Sequence, residues 1–260
     1  MTEEPIKVYR AKEIITMDPT APRATAIAVQ GDRIVGIGDG DDVDQWGVEE
    51  IDDSFDDYVL LPGFVEAHSH VMSGALWEFP YVGFYDREDP QGKIWQGCRD
   101  IESVLEQLIQ YESRISDPDD TLIGWGLDPI FLQGERLEAR HLDQISTTRP
   151  IFVFHASGHL ATVNSEMMRR SGIDRHTPTP GVARNADGEP NGELQEPAAM
   201  SLALDGLLSI GTAIMSSEAK WNYAREARNC GVTTVSDLGT TRLAMEGQLE
   251  AWREVTDQMS

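Results

Sequence analysis

Apolar positions along the first 60 residues follow a short period. "IKVYRAKEIITM" and "ATAIAVQGDRIVGIGD" carry alternating and β-branched runs, and Gln30-Gly31-Asp32 lies between "AIAV" and "RIVGIG", which predicts a hairpin. The acidic stretch "DGDDVDQWGVEEIDDSFDD" predicts a solvated loop; its paired aspartates lack the spacing of an EF-hand. A new strand is expected in "YVLLPGFVEAHSH", with Pro62-Gly63 marking the passage out of the small β module. The period then changes. "IESVLEQLIQYESRI" has helical spacing, while "TLIGWGL" and "PIFVFHAS" are apolar throughout, as in buried strands. "NSEMMRRSGI" predicts a helix capped by Asn164 or Ser165 and closed at Gly172. "DRHTPTPGVARNADGEPNGELQE" predicts a hairpin turning at Ala186-Asp187-Gly188, with a helix from Pro197. The final section gives an amphipathic helix in "SEAKWNYAREARNC", a stop at Gly231, a strand in "VTTVSDLG" and a further helix from about Thr241. Helix, glycine, buried strand, helix is the rhythm of a parallel α/β architecture.

Charge narrows the set of partners. The 260 residues hold 45 Asp and Glu against 21 Lys and Arg, a formal net charge of −24, and only 4 of the basic residues are lysine. So negative a surface repels phosphate, which argues against nucleic acid and anionic membranes. An acidic, lysine-poor surface is what concentrated salt favours, because screening over a few Å removes self-repulsion. A halophilic protein is expected; an ordinary acidic protein is the alternative. Cys98 and Cys230 have no motif spacing, which fits a reducing cytoplasm, and no stretch approaches the ~18 apolar residues of a membrane span.

Two of the six histidines, His68 and His70, sit together after an apolar strand. Residues two apart on a strand face the same way, so both imidazoles can reach one divalent ion. Zinc, iron, nickel and copper all accept neutral imidazole. A bare His-X-His is more often coincidence or a pair of core histidines. Here, however, Ser69, Ser73 and Gly74 leave room around the pair, and the end of an apolar strand is where α/β barrels place their chemistry.

The small β module followed by "LPGFVEAHSH" resembles the metal-dependent amidohydrolase superfamily. "FHASGHLATVNSEMMRRSGI" followed by "TPTPGVARNADGEPNGELQE" is similar to the inserted region of the branch that contains the N-substituted formamide deformylases. The resemblance implies an α/β fold: a partial TIM barrel with an N-terminal β-sandwich module and a large α+β insertion. On it, residues 1–60 form the sandwich part, 61–72 the first barrel strand, 73–216 the insertion, and 217–260 a helix, the second barrel strand and another helix. It further implies a bound divalent metal, most simply zinc, held by His68 and His70, and hydrolysis of a non-peptide, amide-like C–N bond in a small-molecule substrate. Family members take further ligands from later strands: a carboxylated lysine, two histidines and a final aspartate. None can be assigned here, because His141, His155, His159 and His176 all fall in the insertion and the last lysine, Lys220, is on a helix. The chain is expected to be the first half of a longer enzyme. A split enzyme completed by a second chain, a homo-oligomer and a non-catalytic remnant are the other readings.

Four residues are weaker candidates for substrate contact, each with a structural alternative. His159 and Asn164 match an insertion motif that would wall the pocket, or they form and cap a loop. Glu196 could face the site, or sit at a helix N-terminus stabilised by the dipole. Asp237, at the end of "VTTVSDLG", could position a ligand or cap the next loop. His155 is expected to be a hydrogen-bonded core residue, and His141 and His176 to sit in polar loops. Trp77, Phe79, Tyr81, Phe84 and Tyr85 suit either an aromatic pocket or the core. The charge pattern makes one direct prediction: thermal melting followed by circular dichroism should show Tm rising by several degrees between about 0.1 M and about 3 M KCl. An unchanged or falling Tm removes the halophilic reading.

Overall fold

A computed structural model describes residues 4–132, 134–239 and 245–259. Its contacts divide the chain into two units, Met1–Val65 and Glu66–Ser260. The first unit is a four-stranded sheet of β1 (Ile6–Ile15), β2 (Arg23–Gln30), β3 (Arg33–Gly38) and β4 (Glu50–Leu60), in the order β3-β2-β1-β4. The predicted hairpin is the β2–β3 pair, and Gly31 takes the positive φ of 58° that its turn requires. Val8, Ala26, Ala28 and Val43 form a small core on this sheet.

The acidic loop expectation is corrected for its second half. Glu50–Leu60 is strand β4, parallel to β1, with Tyr9 opposite Asp52 and Ala11 opposite Phe55. Composition misleads here because β4 is an edge strand with mostly exposed side chains, so carboxylates cost little on it. Lys7 on β1 lies 2.9 Å from Glu50 and 3.0 Å from Asp52, which offsets part of the repulsion. Tyr58, Val59 and Leu60 finish β4, so the next strand starts only after the Pro62-Gly63 step, at Phe64.

The unit boundary falls within β5 (Phe64–Ser69), and the second unit continues with a 3₁₀ segment (Val71–Glu78) and the two-residue strands β6 (Arg87–Glu88) and β7 (Ile94–Trp95). Then follow α1 (Ile101–Glu112), β8 (Leu122–Leu127), α2 (Ala139–Leu142), β9 (Ile151–His155), β10 (Leu160–Val163) and α3 (Ser165–Arg170). The remainder is β11 (Val182–Arg184), β12 (Pro190–Gln195), α4 (Glu196–Met200), α5 (Leu204–Met215), α6 (Ser217–Asn229), β13 (Val232–Asp237) and α7 (Gln248–Met259). The helix start expected near Thr241 lies outside the described residues.

Five strands make the central sheet, in the order β11-β12-β10-β9-β8, with β8 and β9 parallel and the other pairs antiparallel. Side chains leave it alternately into two cores. Ile123, Phe152 and Ala161 join Met167, Ala203 and Ile210 on one face, while Leu122, Ile151 and Val153 join Val104, Leu108 and Leu142 on the other. Burial on both faces is why "TLIGWGL" and "PIFVF" are continuously apolar. The loops are fixed by polar side chains. Asp100 caps α1 in a capping box, and the buried Arg149 guanidinium donates to Glu112 and to the carbonyls of Asp117 and Asp120. His141 departs from the polar-loop expectation: it is buried on α2, where its Nδ1 accepts from the Glu138 N–H at 2.9 Å.

Beside this body, β5 and β13 form a two-stranded sheet. Helix α6 packs along the 3₁₀ segment so closely that a Cβ on Gly74 would lie 2.1 Å from the Ala219 carbonyl oxygen. Only glycine permits that approach.

Two buried polar residues generate predictions. Asn164 is fully enclosed and its amide is saturated: Oδ1 accepts from the Ile151 and Met167 N–H groups, and Nδ2 donates to the Ser146 and Arg149 carbonyls. Asn164→Ala should therefore cost about 2–4 kcal/mol, read as a lower urea midpoint at unchanged slope. A loss under about 0.5 kcal/mol contradicts the assigned role. Burial holds His155 neutral, lowering its pKa from 6.5 to about 4. The unfolded chain binds that proton first, so this contribution is complete above pH 6.5 and is lost as pH falls toward 4. Wild type should lose up to about 1.4 kcal/mol per pH unit across that window relative to His155→Phe, measured by urea unfolding at matched pH. Parallel stability curves would contradict it.

Candidate metal centre

The Pro62-Gly63 step frees β5 from β4, and β5 then runs only six residues. The pleat sends Glu66 and His68 to one side, and His70, just past the strand end, lines the same groove. His68 is on the strand; His70 follows its end in an extended conformation (φ −130°, ψ 99°) and starts the 3₁₀ segment. The two imidazole centroids are 5.5 Å apart with ring planes at 89°. Two contacts fix the backbone between them. The Leu238 N–H donates to the Ser69 carbonyl at 3.1 Å, locking the ends of β5 and β13, and the Ser69 hydroxyl hydrogen-bonds the Tyr223 hydroxyl on α6. Burial pushes the Tyr223 phenol above its ordinary pKa.

Asp237 ends β13 beside His70. Its Oδ1 is 3.8 Å from His70 Nδ1 and accepts from the Gly239 N–H at 3.0 Å. The carboxylate is largely enclosed whereas the His70 ring is half exposed, so one imidazole nitrogen faces the carboxylate and the other is free for a ligand. At 3.8 Å the pair is an electrostatic contact rather than a hydrogen bond. A Cβ on Gly239 would stand 3.1 Å from His70 Nδ1, tighter than ordinary contact, so this turn also suits glycine. Both imidazoles open on a groove of ≈ 280 Å³ that Glu66, Arg87, Tyr223 and Glu226 also line.

Two imidazoles at this spacing on an open groove fit two positions of a divalent nitrogen–oxygen site, and the neighbouring carboxylates favour a cation. Among the described residues no group of three His, Cys, Asp or Glu is placed to hold an ion. The fit is thus to part of a ligand set.

The other expected residues are disposed differently. His159 and Glu196 do meet: His159 Nδ1 and Glu196 Oε2 are 3.0 Å apart, and the Glu196 N–H donates to the His159 carbonyl at 2.7 Å. Glu196 adopts a left-handed φ of 66°, which its bonds to His159 hold in place. Both side chains are about two-thirds exposed and neither lines the histidine groove. Asn164 spends its whole amide on the scaffold and has no capacity left for a substrate. The aromatic run divides. Trp77 and Tyr81 gather around Trp125, Phe84 stacks on Phe131 while Tyr85 meets it edge to face, and Phe79 packs into the core.

Sequence reasoning missed Arg87, Tyr223 and Glu226. The Arg87 guanidinium donates to Glu226 Oε1 at 2.6 Å, and Trp77 Nε1 donates to Glu226 Oε2 at 3.1 Å. Arg87 lies in "FYDRED", which has no motif, and Tyr223 and Glu226 look like the outer face of an amphipathic helix. Their one available signal was helical spacing, three residues apart on α6.

The amidohydrolase family profile matches residues 56–259. The chain is 28% identical over 233 residues to the N-substituted formamide deformylase of Arthrobacter pascens, covering 87% of this chain and 40% of that protein. It is 25% identical over 248 residues to LONG AFTER FAR-RED 3 of Arabidopsis thaliana, covering 94% and 40%. In fold it is similar to the crystal structure of an uncharacterized metal-dependent hydrolase from Pyrococcus horikoshii, with a TM-score of 0.54 at 18% identity over 97% of this chain and 46% of that one. The chain spans less than half the length of these three proteins. With an ordered β5–His-Ser-His motif and a profile match from β4 to α7, the chain belongs to the amidohydrolase family.

Proposed function

We propose that this chain carries the entrance half of a metal-dependent hydrolase acting on amide-like C–N bonds of small molecules. One observation supports the reading above the others: His68 and His70 point together into an open groove, with Asp237 behind His70. On this reading His68 and His70 hold a divalent ion, zinc being the simplest. When bound, such an ion lowers the pKa of water toward ~7 and polarises the substrate carbonyl.

The chain's own residues have separate tasks. The Asp237 carboxylate stands on the Nδ1 side of the His70 ring, which leaves Nε2 as the nitrogen open to coordination. Ser69 and Tyr223 hold the backbone between the histidines, so the two rings keep their spacing as substrate enters. Glu226 fixes the Arg87 guanidinium at the groove wall, where it presents donors to a substrate carbonyl or carboxylate. A catalytic metal takes at least three protein ligands. We assign the remaining ligands and the proton-accepting base to residues outside those described, in a longer chain or a second one. β5 and β13 are then the first two strands of a TIM barrel, with the four-stranded sheet part of a β-sandwich module and residues 73–216 the insertion. Exposure of Val65 and Val235 on these strands supports further strands packing there. The acidic surface fits a salt-rich cytoplasm.

His68→Ala/His70→Ala should abolish the saturable zinc binding that the wild-type chain shows when zinc is titrated in. Asp237→Asn should keep the ion but weaken its affinity about 10–100-fold in competition with a chromogenic chelator. Unchanged stoichiometry in the double variant overturns the metal assignment.

A further inference from the structure

A second cavity adjoins the histidine groove, sharing Ser73, Arg87 and Glu226 with it. It measures ≈ 260 Å³, and a closed apolar cavity of about 150 Å³ is enough for benzene. Its walls are aromatic. Trp77 and Trp125 stand edge to face at 4.9 Å, and Tyr81 lies 5.1 Å from Trp125. The Arg87 guanidinium caps the three rings, at 5.1 Å from Trp77, 5.3 Å from Trp125 and 5.9 Å from Tyr81. The volume remains with Arg87 in place, so the cavity is not filled by its own cation. Bonds to the scaffold fix the rings: Trp77 Nε1 donates to Glu226, and Trp125 Nε1 donates to the Phe79 carbonyl at 3.2 Å.

His155 also lines this cavity and is unsatisfied. The residue is 2% exposed, its Nε2 hydrogen-bonds Thr162 Oγ1 at 2.9 Å, and its Nδ1 has no partner. A buried nitrogen without a partner is destabilising until something supplies one. Because Thr162 can donate or accept, the neutral ring can offer Nδ1 as either acceptor or donor. Aromatic walls with a few polar groups among them, here His155, Arg87, Glu226 and Ser73, are the make-up of a small-molecule subsite.

We propose that this cavity receives a planar aromatic side group of the substrate, one carrying a hydrogen-bonding function that pairs with His155 Nδ1. Resting on the hydrolase reading, it places that group in the cage while the scissile bond lies across the Arg87–Glu226 boundary, in the histidine groove. The substrate class is then an N-substituted or acyl amide with an aromatic group bearing a hydroxyl, amino or carbonyl function.

The test needs neither metal nor turnover. Phenol is titrated into the full chain, with indole N–H resonances of the six tryptophans followed by NMR and assigned by single Trp→Phe substitutions. Saturable shifts confined to Trp77 and Trp125 are expected, with cyclohexanol binding at least about tenfold more weakly because it lacks a π face. In His155→Phe the preference for phenol over toluene should disappear while toluene still binds, which separates a lost hydrogen bond from a damaged fold. Absent shifts, shifts spread over all six indoles, or equal binding of cyclohexanol overturn the proposal. None of these outcomes bears on the metal content of the His68/His70 variants, so the two readings fail separately.

Discussion

The pleat of one short strand governs the arrangement. Because side chains alternate along β5 and into the extended residue just past its end, His68 and His70 emerge on one side with their rings 5.5 Å apart, and a slip of one residue would turn both away. Two exposed histidines on an edge-rich two-stranded sheet would otherwise be free to drift. The Leu238–Ser69 backbone bond and the Ser69–Tyr223 hydroxyl pair tie that stretch to β13 and to α6. Gly74 and Gly239 are consequences of the same constraint, since one lets α6 close on the 3₁₀ segment and the other lets the β13 turn reach His70.

The central sheet works as a support. Its strands alternate side chains into two cores, so loops that carry polar chemistry rest on a body buried on both faces. Arg149, through four guanidinium hydrogen bonds, and Asn164, through all four of its amide's, bind the loop ends to that body. Among the described residues, His155 and His141 are each buried with one ring nitrogen unpartnered, and it is His155 that lines the cavity. An aromatic cage, a capping guanidinium and a metal-type histidine pair thus adjoin each other, through three shared residues.

Much of this could be read in the letters. Alternation and turn residues located the β2–β3 hairpin, doubly buried β8 and β9, the Asn164 cap and the β11–β12 hairpin, because each is decided locally. β4 could not be seen: its acidic residues are acceptable only as an exposed edge beside Lys7, which is a tertiary fact. His68 and His70 were legible as a pair through their spacing at a strand end. Asp237 was legible only as a ligand-positioning or loop-capping residue, and it lies 3.8 Å from His70 while accepting from the Gly239 N–H. Arg87, Tyr223 and Glu226 were not legible, because their roles arise from α6 crossing the 3₁₀ segment. The motif containing His159 and Asn164 was visible, yet motif membership did not say that one pairs with Glu196 and the other is consumed by the scaffold.

The shared coordination of one ion by His68 and His70 is tested most directly by X-ray absorption at the zinc edge of the loaded chain. The account predicts nitrogen scattering at about 2.0–2.1 Å with the multiple-scattering signature of two imidazoles, reduced to one in either single His→Ala variant. Cys230, exposed on the same groove, offers the rival ligand. A spectrum dominated by sulfur at about 2.3 Å, or one unaltered by loss of either histidine, would contradict the account.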